Sequence, residues 1–182
     1  MVPVSTQETG EATTVVDQRV NKSLVTFDLK GKFNFGKRAD GVTLKTEIEL
    51  AAGLTPSLGM PISLGIGNVT GTGMVDARGR VTGLSGGNLK KVQVKWPRLA
   101  KGVTATQGGE KAKVTIMLYG SGLDAVGFDT EGIVNTGLTD KQPVPRQIQT
   151  AIVLGGVPYY AQSQVNYTLN RGTGMLQGRT PR

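Results

Sequence analysis

The clearest signal in the chain is a period of two. Val25, Phe27 and Leu29 share one parity, and Phe33 and Phe35 continue it, as expected where successive side chains of a strand point to opposite faces. Gly36-Lys-Arg-Ala-Asp-Gly41 supplies a turn. Val42, Leu44, Thr46, Ile48 and Leu50 then alternate with Thr43, Lys45, Glu47 and Glu49, the strongest strand signal in the sequence. Gly53, Pro56, Gly59 and Pro61 make 51–61 a loop. A short strand, Ile62–Ile66, and a Gly-rich one, Val69–Val75, follow. Asp76 and Gly79 stand at the first and fourth positions of a type I turn, which closes a hairpin onto Arg80–Leu84. Leu89, Val92, Val94 and Trp96 predict a further strand, stopped by Pro97.

The pattern restarts at Val114, Ile116 and Leu118, and Gly120-Ser-Gly122 interrupts it. Strands are predicted around Phe128–Val134, Gln147–Leu154 and Gln162–Leu169. Nowhere do helix formers gather with a 3.6-residue period. The predicted class is therefore all-β, an antiparallel β-sandwich or jelly-roll-like arrangement that accommodates two related β-rich halves. The predicted organisation is a polar N-terminal arm (1–20), a first half (21–96), a basic connector (97–111), a second half (112–170) and a polar C-terminal tail (171–182). Two echoes suggest the halves: Val25-Thr-Phe-Asp-Leu-Lys-Gly31 against Val114-Thr-Ile-Met-Leu-Tyr-Gly120, and Gly53-Leu-Thr55 against Gly137-Leu-Thr139.

The run from Phe33-Asn-Phe-Gly-Lys-Arg-Ala-Asp40 to Leu50, the Gly53-Leu-Thr-Pro56 loop, and the strand–Asp76-x-x-Gly79–strand that follows resemble the duplicated all-β modules of large secreted bacterial proteins. The resemblance spans residues 25–169. It implies an extracellular or cell-surface β module and transfers no catalytic residue.

Composition narrows the chemistry. The chain has neither Cys nor His. That removes disulfides, thiolate and imidazole metal sites, cysteine nucleophiles and the Ser–His–Asp triad together. Twenty-seven glycines and only 19% charged residues fit strands joined by tight turns. No apolar run is long enough for a transmembrane helix, so no membrane span is expected. The first residues lack the basic and apolar regions of a signal peptide, which points to a cytoplasmic chain or to one read after removal of a leader.

The candidate sites are few. The glycine run 65–73 invites a phosphate-loop reading, but such loops lead into a helix, and here a strand and a turn follow. Asp124, Asp129, Glu131 and Asp140 cluster in sequence without the spacing of a calcium loop. Glu47 and Glu49 share the polar face of one strand at a separation compatible with a glycosidase pair, which any solvated strand face also offers. No catalytic residue, metal ligand or cofactor is assigned, and the chain is read as a non-enzyme.

The net charge of +8 brings in anionic partners. Lys90, Lys91, Lys95, Arg98 and Lys101 form the candidate anionic-polymer-binding stretch, for polysaccharide or nucleic acid, with Trp96 read as a core residue by its parity with Val92 and Val94. In Pro158-Tyr159-Tyr160, one tyrosine is expected inside and one outside. Val15, Val16 and Val20 give the N-terminal arm something to bury as an assembly strand on a neighbour. The expected function is a structural, self-assembling β protein: a homo-oligomer or polymer, subunit of an extracellular filament or surface layer. A virion coat protein and a carbohydrate- or anionic-polymer-binding module are the alternatives. A basic patch confined to one side would favour the virion.

Overall fold

The computed structural model describes residues 22–35 and 39–179. The arm residues Val15, Val16 and Val20 lie outside the described residues. Eleven strands form one sheet: β1 (Lys22–Ser23), β2 (Thr26–Asn34), β3 (Asp40–Glu49), β4 (Met60–Ile66), β5 (Val69–Val75), β6 (Val81–Ser85), β7 (Leu89–Lys95), β8 (Lys111–Gly120), β9 (Pro143–Leu154), β10 (Val157–Asn170) and β11 (Thr173–Arg179). The order is β6-β5-β4-β9-β10-β11-β2-β3-β8-β7, antiparallel throughout, and β1 adds a short parallel pairing to β10. The antiparallel all-β class is the one the alternation predicts. In place of two stacked sheets, one sheet curls until its end strands β6 and β7 meet, giving a nearly closed barrel.

Alternation explains the curl. β3 reads buried at every second residue from Asp40 to Ile48, and β8 does so from Ala112 to Leu118. Leu29, Leu44, Ile116 and Val92 lie opposite one another on four successive strands, and all are buried. Across the interior, Leu64, Ile152 and Tyr159 form a similar row. A side chain of this size stabilises the fold by roughly 1.5–3 kcal/mol when fully buried. Apolar side chains fill the interior, and Asp40 is the one buried carboxylate among the described residues. No helix among the described residues is long and apolar enough to cross a membrane.

Closure depends on the missing side chain of Gly71. A Cβ there would sit 2.0 Å from Leu89 Cδ1 and 2.3 Å from the Ser85 carbonyl oxygen, so glycine leaves room for the β6 backbone and the Leu89 side chain of β7 to approach β5. The 65–73 run is thus a β-hairpin with close backbone packing, as its strand reading predicts. At the next turn, Asp76 Oδ1 accepts the Arg78 and Arg80 N–H groups at 2.9 and 2.7 Å. That turn is fastened to β7 by the Val94 N–H, which donates to the Gly79 carbonyl at 2.8 Å.

The two predicted halves interleave. β2 and β3 stand between β11 and β8, and β9 and β10 stand beside β4, so neither half has a sheet of its own. The echoed segments Val25–Gly31 and Val114–Gly120 run along opposite sides of β3.

One predicted element is corrected. The strand at Phe128–Val134 is absent: Leu123–Gly127 form a short helix, α1, and the chain from 128 runs irregularly to β9. Leu123, Phe128 and Ile133 turn inward and stop one end of the barrel, with Phe128 edge-on to Phe33 at 5.5 Å between ring centres. Gly132, at φ 74°, breaks any extended run there. Within the predicted polar tail, residues 173–179 form β11. This strand pairs with β10 on one side and β2 on the other, with Leu176 buried.

Candidate functional site

Charge is distributed unevenly over the strands. β4, β5, β6, β9 and β10 together contain a single charged residue, Arg146, whose Nε donates to the Gly132 carbonyl at 2.9 Å. Their outward positions are mostly small or amide side chains such as Ser63, Thr70, Thr72, Ala151, Gln162 and Gln164, with Met74 and Tyr160 as large, exposed exceptions. Two shallow hollows of about 690 and 450 Å³ lie on this side, sharing Gly65, Thr70 and Ala151 in their walls.

The opposite arc, β11–β2–β3–β8–β7, is basic. Register fixes how its outward residues line up. One row runs Gln177–Lys30–Thr43–Met117–Lys91, and the next runs Met175–Lys32–Gly41–Tyr119. On the other side of the first row come Arg179–Asp28–Lys45–Thr115–Gln93, then Glu47–Lys113–Lys95, then Glu49–Lys111. The acids thus gather toward one end, where Glu47 holds Lys113 at 3.4 Å. The two rows through Lys30 and Lys32 contain no carboxylate.

The predicted basic stretch is split by the fold. Lys91 and Lys95 point outward on β7, within the basic arc. Lys90 is the extra residue where the β7–β8 register slips between Leu89 and Lys91, and it is exposed. Arg98 and Lys101 are exposed on the connector, beyond the end of β7. Trp96 is half-buried on the rim of the core, and its Nε1 donates to the Asp76 carbonyl at 3.3 Å.

The connector is itself well anchored. Gly53 N–H donates to the Thr106 carbonyl at 2.7 Å, and Thr106 N–H returns to the Leu54 carbonyl at 2.8 Å. Glu110 accepts the Gln107 and Gly108 N–H groups at 2.9 and 2.8 Å. These bonds, that of Gln107 foremost, hold its carboxyl below the ordinary range. Sequence reasoning missed Lys30, Lys32, Lys45 and Arg179, because β2, β3 and β11 reach β8 and β7 only through long-range pairing.

The carboxylate constellations come apart. Glu47 and Glu49 face cross-strand lysines, Lys113 and Lys111, which is charge matching on a sheet surface. Asp129 accepts from Asn68 Nδ2 at 3.3 Å, and Asp140 accepts the Arg171 N–H at 2.9 Å. Glu131 accepts the Thr130 hydroxyl at 2.8 Å. Among the described residues no three metal-ligating side chains come together. Of the tyrosine pair, Tyr159 is buried and Tyr160 half-exposed, as the parity predicts, and burial pushes the Tyr159 phenol up.

A carboxylate that the sequence did not single out is the most buried one among the described residues. Asp40, 1% exposed, accepts the Asn34 N–H at 2.6 Å and the Leu123 N–H at 2.9 Å, joining the end of the β2–β3 hairpin to α1. Its surroundings make it a brace and not a reactive group. Comparison with protein-family models, with curated proteins and with solved structures finds no match to this chain.

Proposed function

We propose that the chain is a structural, non-enzymatic protein that lays its basic arc against an anionic polymer and meets copies of itself through its uncharged side, as a coat subunit does. The observation that carries this reading is where the lysines of the continuous strand order fall: on β2, β3, β7 and β8, and on none of β4, β5, β6, β9 and β10. Clustered cations on one face release counterions when they meet a polyanion, while scattered ones serve mainly solubility. The opposite side, almost without charge, lowers the cost of bringing two copies together, since little charge has to be desolvated.

The test is binding to a polyanion at several salt concentrations, with light scattering and negative-stain imaging on the same samples. The expected result is affinity that falls steeply with salt. Replacing Lys30, Lys32 and Lys91 by Ala should lower that salt slope by about one for each phosphate-contacting lysine removed. Ordered assemblies should form or grow when the polymer is added. A protein that stays monomeric and ignores polyanions at low salt sinks the proposal.

A second reading, a filament or surface-layer subunit outside the cell, draws on the same uncharged side. It expects assembly without polymer and indifference to the lysine substitutions.

A further inference from the structure

Within the basic arc, one place differs from a plain field of lysines. Met175, Lys32, Gly41 and Tyr119 are direct neighbours across β11, β2, β3 and β8. Gly41 leaves a gap in the outer surface, and a hollow of about 400 Å³ opens there, lined by Lys30, Lys32, Thr43, Met175 and Gln177. That volume is in the range of sites for small organic groups. The Tyr119 ring leans toward the gap: a Cβ on Gly41 would lie 3.9 Å from its Cδ2. A ring that only covered a cross-strand glycine would be largely hidden, yet Tyr119 remains 58% exposed. Met175 and Met117, at 47% and 39%, are also unusually open for apolar residues. Met175, Gln177 and Thr43 thus line the hollow together with the two lysines, and the open Tyr119 ring and Met117 stand beside it on β8, paired with Gly41 and Thr43.

Resting on the reading above, we infer that this hollow takes one unpaired nucleobase, stacked on Tyr119, with Lys30 and Lys32 on the neighbouring phosphates, so that the polymer is single-stranded nucleic acid. Stacking on an aromatic face accepts any base, and flanking cations follow the backbone. A duplex keeps its bases inside and could use the lysines but not the ring or the hollow. An acidic polysaccharide would use the lysines and gain less from a flat apolar contact. The arc's cations thus set the general attraction, and the Gly41 hollow selects among polyanions.

The experiment compares a labelled single-stranded homopolymer oligonucleotide, a duplex of equal length and heparin, by fluorescence anisotropy at matched ionic strength. Two variants probe the hollow independently. Tyr119→Ala removes the ring, and Gly41→Val fills the gap at a strand position where no atom lies nearer than 3.9 Å to the new Cβ. Tyr119→Phe keeps the stacking surface. The expected result is tighter binding of the single strand than of duplex or heparin. Either disruptive variant should weaken the single strand by about tenfold or more, leaving heparin binding and melting temperature in place, and Tyr119→Phe should behave as the parent. If the parent protein treats the three polymers alike, or the variants weaken all three equally, the nucleobase site is wrong while the basic-face reading stands. If none of the three binds, both are wrong.

Discussion

The backbone of Gly79 touches the backbone of Val94. The Val94 N–H donates to the Gly79 carbonyl at 2.8 Å, and a Cβ on Gly79 would lie 1.6 Å from the Val94 carbonyl oxygen. With an isolated Arg80–Gln93 bridge beside it, this contact joins the two ends of the strand order. Gly79 also sits at φ 76°, where an L side chain is strained.

Gly79→Ala should therefore cost more than its backbone angle alone. Gly102, at φ 83° with no atom within 4 Å of where a Cβ would stand, is the control. Gly102→Ala is expected to lose about 1–2 kcal/mol, and Gly79→Ala more than about 3 kcal/mol, by urea unfolding. Equal losses would mean that the seam between β6 and β7 adds nothing to stability.

Asp40 should matter through the two N–H groups it accepts. Hydrogen bonds to a charged acceptor are worth about 1.5–3 kcal/mol each, so Asp40→Ala is expected to destabilise by about 3 kcal/mol or more. Hydrogen exchange gives the sharper check. The Leu123 amide should lose protection more than the amides of the β3–β8 ladder, and unchanged exchange at Leu123 would refute the brace.

Tyr167 predicts an alkaline limit to stability. Its hydroxyl donates to the Val134 carbonyl at 2.8 Å, and its pKa is pushed up to about 12, first by burial, then by the Asp124 carboxylate, against a smaller lowering by Arg146. The folded protein thus holds this proton more tightly than the unfolded chain, whose tyrosine titrates near the ordinary 10.0. The contribution is fully present below pH 10 and is lost as pH rises through about 12. Tyr167→Phe should lose about 1 kcal/mol at neutral pH and show a shallower decline between pH 10 and 12. A decline as steep as that of the parent would assign it to other groups.

β11 should be indispensable despite its polar appearance. Leu176 is buried between β10 and β2, so Leu176→Ala is expected to cost about 2–5 kcal/mol. Gly178→Ala puts a Cβ 2.2 Å from Val165 Cγ1 and should cost a comparable amount. Thermal melting of both variants decides it: two near-parental curves would make 173–179 a dispensable appendage.

Legibility in the sequence followed how each strand fills the interior. β2, β3, β4 and β8 were readable because apolar side chains occupy most of their inward positions. β11 was not, because its inward residues are Gly174, Leu176 and Gly178, and only one of them announces a core. The glycines are there because β10 supplies the bulk: a Cβ on Gly174 would meet the Tyr167 hydroxyl at 2.4 Å. The 128–134 segment misled in the opposite way, since Phe128 and Ile133 are buried as a stopper at the barrel's end and not on a ladder. Lys91 and Lys95 were legible on β7. Their association with Lys30 and Lys32 was not, since it passes through β8 and β3, and pairing order is a global property of the chain.

The position of β11 also bears on the order in which the protein can be made. Of the described strands, β2 is among the first to be synthesised, and β11, its neighbour on one side, is the last. Until 173–179 have emerged, β2 and β10 each present an open ladder edge that another nascent chain could occupy. The β2–β3 hairpin can form early, but the barrel can close only after translation has passed its final strand. Folding should therefore be slow, as expected when decisive pairings join distant parts of a chain, and crowding of chains that have not yet made β11 would be its most vulnerable moment.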